Sequence, residues 1–379
     1  MIRTFQALHS VEPGFTESEH VQTIRIGIPL LLEREPERVI RVQNDIVDAI
    51  AAIPSVTSVG FTSSMPLEGI YGNWDAIDVE NEPVAAGVTP PLRKFTSVSP
   101  GLFLTLGTRL VAGRDINWTD VHETRPVAMI SENLARELWD EPVAALGKRI
   151  RSAPDTPWRE VVGVLQDVRD NGVDQPAPTI VYWPSYMANF FTGAPAYVER
   201  NVTIAIRSDL AGTPALVQQI QQAVWSVNSS LPIASVRTLR DMLDQSLARQ
   251  SLTLVMLATA GALALTLGVV GIYGVLSYAV AQRRREIAVR MALGAQQRAV
   301  TRSFVQHGVL LSGVGVAFGL VAAANVSRLM TSLLFEVRPI DLRTYAAVAL
   351  LLTVVAAIAS YFPARRAATV DPAEALAAE

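Results

Sequence analysis

Cysteine is absent from the 379-residue chain. That excludes disulfide staples and thiolate metal sites, and it leaves the redox compartment open. Charge is scarce too, at 18% of residues, against 50% hydrophobic and a mean hydropathy of +0.29. The scarcity is concentrated: no Asp, Glu, Lys or Arg occurs from Gln250 to Gln282, from Ser303 to Ser327, or from Thr344 to Ala364. Crossing a bilayer core of about 30 Å takes about 20 apolar residues, and each run is long enough. A charge at the centre of a spanning helix costs about 2.5–3.5 kcal/mol on insertion scales. Three uncharged runs therefore predict three transmembrane helices, at 239–282 with its stalk, 303–327 and 344–364. Core helices of soluble proteins are typically shorter, about 8–20 residues.

Lysine is missing altogether after residue 250, where 11 arginines face 6 acids, a net of +5. The preceding part carries 21 basic and 29 acidic residues, a net of −8. An acidic domain is thus joined to a basic membrane domain. No basic patch interleaved with aromatics occurs, so nucleic acid is not an expected partner. The 283–302 loop holds six Arg and one acid, Glu286, and the tail at 365–379 starts with Arg365-Arg366. The 328–343 loop sets three Arg against Glu336 and Asp341. Short basic loops stay in the cytoplasm. This places 283–302 and the tail inside, 328–343 outside, and residues 1–249 outside a multi-pass inner (plasma) membrane protein surrounded by membrane lipid. A domain outside needs a signal peptide or a preceding helix, and MIRTFQALHS is neither. An upstream segment is expected.

The outside part reads as two β-α-β units, a split ferredoxin-like pattern. In the first, strands at 21–30 and 56–64 flank a helix with Val39, Val42, Ile46, Ala49, Ile50 and Ile53 on one face. In the second, strands at 202–208 and 231–239 flank a helix capped by Thr213, with Pro214 in its first turn and a Leu216, Ile220, Ala223, Val224, Val227 stripe. The ferredoxin-like subdomain then covers 21–91 and 200–238. Residues 92–199 form an inserted mixed α/β subdomain whose clear helix, SENLARELW, starts at an N-cap, Ser131. The fold class is an α+β extracytoplasmic domain followed by an all-α membrane domain. Leu239, Leu243 and Leu247 predict a helix running on into the first span as a stalk, with a break near Ser251 as the other possibility.

Enzyme motifs are missing as well. There is no G-x-S-x-G elbow, no H-E-x-x-H and no Gly-rich phosphate loop. No cofactor or metal is expected. Asp167 and Asp170 in QDVRD could be a carboxylate pair, but exposed loop charges are the simpler account. His9, His20, His122 and His307 are isolated in sequence; His307, near the inside end of the second span, is a functional candidate or an interface residue. Gly268, Gly271 and Gly274 in the first span, and Gly315 and Gly319 in the second, allow close helix packing, within one subunit or across a dimer.

Four arginines stand among the eight residues of RRREIAVR, at 283–290, between two uncharged runs. Such a segment could lie on anionic headgroups or fit a groove on a cytoplasmic protein. Ile287, Met291 and Ala295 give only a narrow apolar strip. Glu286 and the small residues Ala292, Gly294 and Ala295 suit protein contact better.

REIAVRMALGA at 285–295 resembles the signature of FtsX-like permeases of MacB-type ABC transporters, with Ala288 where the family usually has Gly. YFPARRAATVDPAEAL at 361–376 is similar to that family's ending. SPGLFLTLGTRLVAGRD (99–115), VAMISENLARELW (127–139), LGKRI (146–150) and REVVGVLQDVRD (159–170) resemble the MacB-type periplasmic core. The resemblance extends to large duplicated acidobacterial-type permeases. It implies a dimer, or two halves of one duplicated chain, working with a cytoplasmic ABC ATPase on separate polypeptides, since this chain has no Walker A loop. ATPase coupling would fall to Arg283, Arg284, Arg285, Glu286, Arg290, Leu293, Gly294 and Ala295. The implied function is export of a peptide, drug or lipoprotein, with a periplasmic adaptor as a possible partner. The alternative is a regulatory scaffold of the FtsX type, activating a cell-wall hydrolase.

Members of that family have four spans, and residues 1–20 resemble the segment after the first. The DNA upstream of Met1 is therefore expected to encode, in frame, an apolar run of about 20 residues. An early upstream stop codon without such a run would contradict this, if the 379 residues alone also deliver their N-terminal domain outside.

Overall fold

The computed structural model describes residues 12–69, 73–81, 91–152, 155–190, 195–282 and 342–368, with helical positions between 302 and 325. In chain order the first elements are β1 (Val21–Gly27), α1 (Pro36–Ala51), β2 (Val56–Thr62), β3 (Asn73–Ala76), β4 (Asp78–Val79), β5 (Leu92–Val98), α2 (Leu102–Leu106) and β6 (Leu110–Gly113). Then come α3 (Trp118–His122), β7 (Val127–Ser131), α4 (Glu132–Trp139), β8 (Arg149–Arg151), β9 (Arg159–Leu165) and β10 (Ile180–Pro184). The last are β11 (Tyr186–Ala188), β12 (Ala196–Val198), β13 (Asn201–Ser208), α5 (Pro214–Val227), β14 (Ile233–Thr238), α6 (Leu239–Gln282) and α7 (Leu342–Ala368). Ser10–Arg249 is one compact unit and the residues from Gln250 on belong to another.

Both β-α-β units are present. Their strands lie side by side in the order β14-β1-β13-β2, each pair antiparallel. Helix α1 starts with Pro36 in its first turn and buries Val39, Ile40, Ile46, Val47 and Ile50. On α5 the Thr213 side chain accepts from the Leu216 N–H, and Leu216, Ile220 and Val224 are buried. The two stripes belong to one apolar core with Ile24, Ile26, Ile204 and Ile206.

The inserted stretch extends this sheet instead of folding apart from it. Beyond β2 the strand order runs β5-β10-β7-β9-β8-β4, with β3 on β5 and β6 on β9. Strands β3 and β4 precede residue 92, yet they pair with strands of the insert. At the join the ladder pairs Thr62 with Val98, and backbone bonds flank that pair: Ser63 N–H donates to Ser97 O at 3.0 Å and Ser99 N–H to Phe61 O at 2.9 Å. Helix α2 crosses the same join and needs Gly60 there, because a Cβ would come within 2.4 Å of Leu102 backbone atoms. A second core lies on the other face of the insert, built from Phe95, Ile130, Leu134, Val161, Val181 and Trp183.

The expected cap of α4 is corrected. Ser131 is at the N-cap position, but its side chain makes no capping bond. Its hydroxyl donates to Asn133 Oδ1 and accepts from the Ile180 N–H, 2.9 Å away. The Asp167 carboxylate takes the helix donor instead, accepting from Asn133 N–H at 2.8 Å. Sequence neighbours identify the N-cap position, but they do not show a carboxylate arriving from 34 residues away.

Among the described residues one helical window, Ala258–Val275 within α6, is long and apolar enough to cross a membrane, while Gly313–Ala323 and Ala346–Ile358 are shorter apolar helices.

Asp115 carries a pH dependence that can be worked out. Its carboxylate accepts from the Ile116 and Gly101 N–H groups, but burial pushes its pKa up from 3.8 to about 6. The folded state therefore holds a proton that the unfolded state releases between those values, so stability falls as pH rises from about 4 to 6 and stays lower above. Asp115→Asn removes this slope. Thermal unfolding of the 10–249 unit should show a gain of about 1–3 kcal/mol at pH 7.5, equivalent to several degrees, and little change at pH 4. An unchanged midpoint at pH 7.5 would refute it.

Candidate functional site at the root of the long helix

Strand β14 passes into α6 without a linker. Thr238 caps the helix reciprocally with Asp241: Asp241 N–H donates to Thr238 Oγ1 at 3.0 Å, and Thr238 N–H donates to Asp241 Oδ2 at 2.8 Å. This capping box satisfies two donors that a helix start otherwise leaves open. Leu239 and Met242 are buried in the core of the extracytoplasmic unit, and Leu243 and Leu247 are half-buried. The residues at i, i+3, i+4 and i+8 thus hold the first turns against the domain. From there α6 continues unbroken for 44 residues, with no interruption at Ser251.

The loop that follows β9 lies against this root. Gly172 has φ +139°, and a Cβ there would sit 3.8 Å from Ser246 Oγ on α6. Much of the loop is tied down. Gln166 N–H donates to Arg109 O and Arg169 N–H to Pro13 O. Asp167 caps α4, Val168 is buried, and the Asp170 carbonyl accepts from Leu67 N–H at 2.9 Å. Gly14, at φ +92°, passes so close to Asp167 O that a Cβ would clash at 2.3 Å. Residues 13–16 therefore run as a strap over the loop before entering β1.

Asp167 and Asp170 are not exposed loop charges, and they do not act as a pair. Asp167 is half-buried with its pKa raised, chiefly by burial. Asp170 is buried and forms an ion pair with Lys94 of β5, whose side chain is 1% exposed. Burial raises the Asp170 pKa, and Lys94 pulls it back down. Lys94 is one of only two lysines in the chain. Its position inside a strand was the sequence signal for a buried partner. Likewise T-L-R-D at 238–241 was legible as a cap.

His20 Nδ1 is 3.5 Å from Asp209 Oδ1, and His122 stacks on Trp118 at 5.6 Å between centroids. His9 and His307 fall outside the described residues, as do Arg283, Arg284, Arg285, Glu286, Arg290, Leu293, Gly294 and Ala295. Gly268, Gly271, Gly274, Gly315 and Gly319 are exposed, with open space where a Cβ would stand. Among the described residues no cluster of His, Asp and Glu could hold a metal ion.

Several known proteins are similar to this chain. A relative called "Macrolide export ATP-binding/permease protein MacB" in Bradyrhizobium diazoefficiens is 27% identical over 323 residues, covering 80% of this chain and 48% of that protein. "Pyoverdine export ATP-binding/permease protein PvdT" of Pseudomonas syringae pv. syringae is 28% identical over 274 residues, covering 71% and 40%. The chain spans between a third and a half of the length of such relatives. The crystal structure of the periplasmic region of MacB from Actinobacillus actinomycetemcomitans matches with a TM-score of 0.38 at 15% identity, covering 64% of this chain and 98% of that one. The family model for the FtsX-like permease C-terminal region matches residues 258–372, and that for the MacB-like periplasmic core domain matches residues 5–224, more than half of the chain. The chain belongs to the MacB-like family, with an extracytoplasmic core domain followed by an FtsX-like permease region.

Proposed function

We propose that this chain is the permease component of an export system, carrying ATP-driven motion from a cytoplasmic ATPase to its extracytoplasmic domain. The observation that carries this reading is α6, one helix from a capped, buried root at Leu239 to Gln282. A helix transmits displacement along its length where a flexible linker would absorb it. Several relatives bear names that join export with ATP binding and permease, which supports a transport role over a scaffold for a cell-wall hydrolase. Hydrolysis is assigned to a separate polypeptide. The 283–302 loop receives the ATPase on the inner side, through Arg285, Glu286 and Arg290 above all. Three spans, a second permease copy or half, and an extracytoplasmic adaptor complete the proposed assembly. The cargo is a peptide, drug or lipoprotein.

Sidedness can be tested directly, because the cysteine-free chain gives no background labelling. Single cysteines at Val143, which is 65% exposed, and at Thr331 should react with a membrane-impermeant thiol reagent in intact spheroplasts. One at Gln296 should react only after lysis. Reaction at Gln296 in intact cells would invert the proposed topology.

Coupling is tested by replacing Arg285, Glu286 and Arg290 together with alanine. Capture of the ATPase should weaken by roughly 2–5 kcal/mol if these contacts are desolvated, and stimulation of its turnover should disappear. Membrane insertion should survive. Unchanged capture, with lysine tolerated at both arginines, would assign the segment to lipid headgroups.

A further inference from the structure

The second core, in the insert, holds a buried cation. Arg159 opens β9 and is 2% exposed. Its guanidinium lies 5.5 Å from the Trp183 ring and 5.4 Å from the Phe190 ring. Nη1 donates to Pro157 O and Nη2 to Ala188 O, each at 3.0 Å. Those bonds use two of the five N–H groups of an arginine head, and both acceptors are neutral. Burial alone pushes the Arg159 pKa down to about 10, and no carboxylate among the described residues pulls it back. Asp155 and Glu160, its neighbours in sequence, are exposed. The stretches 153–154 and 191–194 contain no acid. Lys94, the other buried cation of the insert, differs in having Asp170 as its partner.

Two more donors stand at the same level of the sheet. Strand β7 runs between β9 and β10, with Val127 opposite Glu160 on one side and Met129 opposite Tyr182 on the other. Carried on along the strands, these registers set Arg159 and Ser185 on either side of Pro126. Val181, Trp183 and Met187 belong to the second core, and Ile180, Tyr182 and Tyr186 to the first. Alternation therefore puts Ser185 on the side of Trp183, and Arg159 shares that side with Val161. Trp183 and Ser185 are both 0% exposed. Neither Trp183 Nε1 nor Ser185 Oγ has a hydrogen-bond partner among the described residues.

A buried charge without a counter-charge is strongly unfavourable. The two ring faces offset only a small part of that cost. Water satisfies donors but leaves the charge in place, whereas an anion accepts from the donors and cancels the charge. We propose that Arg159, Trp183 and Ser185 hold one small monovalent anion, of the size of chloride, inside the insert. A single negative charge matches the single guanidinium, and a doubly charged oxyanion would bury an excess of one. The aromatic rings and carbonyls around the arginine head favour an ion of few atoms. Bound there, the ion ties the start of β9 to the β10–β11 corner and stabilises the insert. The site stands independently of the permease reading.

The test uses the full chain in lipid nanodiscs, with chloride varied against gluconate at constant ionic strength. The readouts are the thermal midpoint and the line width of the chloride NMR signal. An ion that binds the folded state alone, in the low millimolar range, should raise the midpoint by about 3–8 °C between about 2 and 300 mM. Bromide should substitute for chloride, and sulfate should not. Arg159→Met should abolish the chloride dependence of the midpoint and the excess line width together. Trp183→Phe/Ser185→Ala keeps the charge and removes two donors. It should raise the concentration of half-maximal effect by about tenfold or more, because hydrogen bonds to a charged group are lost. A parent midpoint that ignores chloride, or responds equally to sulfate, would overturn the proposal and leave water as the partner of these donors. A chloride dependence that survives Arg159→Met would overturn it too. Should that variant not fold, the Trp183→Phe/Ser185→Ala variant decides in its place, and an unchanged chloride dependence there refutes the site.

Discussion

A loop can run through a protein interior only if its polar groups find partners there. Unpaired backbone and carboxylate groups would each cost on the order of 1–3 kcal/mol or more. The 166–172 loop meets this condition at several positions. Its backbone bonds to Arg109, Pro13 and Leu67, and its carboxylates bond to the start of α4 and to Lys94. Because the partners come from the strap, residues 63–68, β5, Arg109 and the start of α4, satisfying one loop draws separate parts of the chain together. Gly14 and Gly60 follow from the same crowding: each stands where another backbone comes too near for a side chain.

Most of the fold was legible where one element decides its own form. Period-3.6 stripes with a proline in the first turn marked α1 and α5, and alternating β-branched residues marked β1, β2 and β13. The long uncharged run starting at Gln250 marked α6. What failed was long-range. QDVRD looks like surface, with two aspartates, an arginine and a glutamine in five residues, and nothing local says that Lys94 lies 76 residues away in space-filling contact. Ser131 looks like a cap, and an aspartate from another loop does the work. The strap at 13–16 was invisible because its only signal is a Pro-Gly turn, and its meaning comes from Leu106 and Arg169 on the far side of it.

The functional positions divide in the same way. The arginine-rich segment at 283–295 is readable in sequence because charge between two uncharged runs is conspicuous; on the proposed reading it meets a cytoplasmic partner. The root of α6 is a property of packing. Leu239 and Met242 carry no chemistry of their own; they matter because they seat the first turns of α6 in the core of the domain.

Length gives the last step. At 1.5 Å per residue, the 44 residues of α6 span about 66 Å. A bilayer core takes about 30 Å of that. More than half of the helix therefore remains for the capped root, the aqueous stalk and the interfaces. Cooperative helix hydrogen bonding keeps such a segment stiff, whereas an unstructured stretch of the same 44 residues would lose any imposed displacement within its own fluctuations. The sequence favours stiffness here. From Leu239 to Gln282 there is no proline, and the first glycine comes at Gly261, well beyond the root. The three glycines at 268, 271 and 274 fall inside the apolar window, where close helix approach is worth more than local stiffness. On the proposed reading, stiffness is thus concentrated where displacement would be carried through water, and the glycines fall within the apolar window.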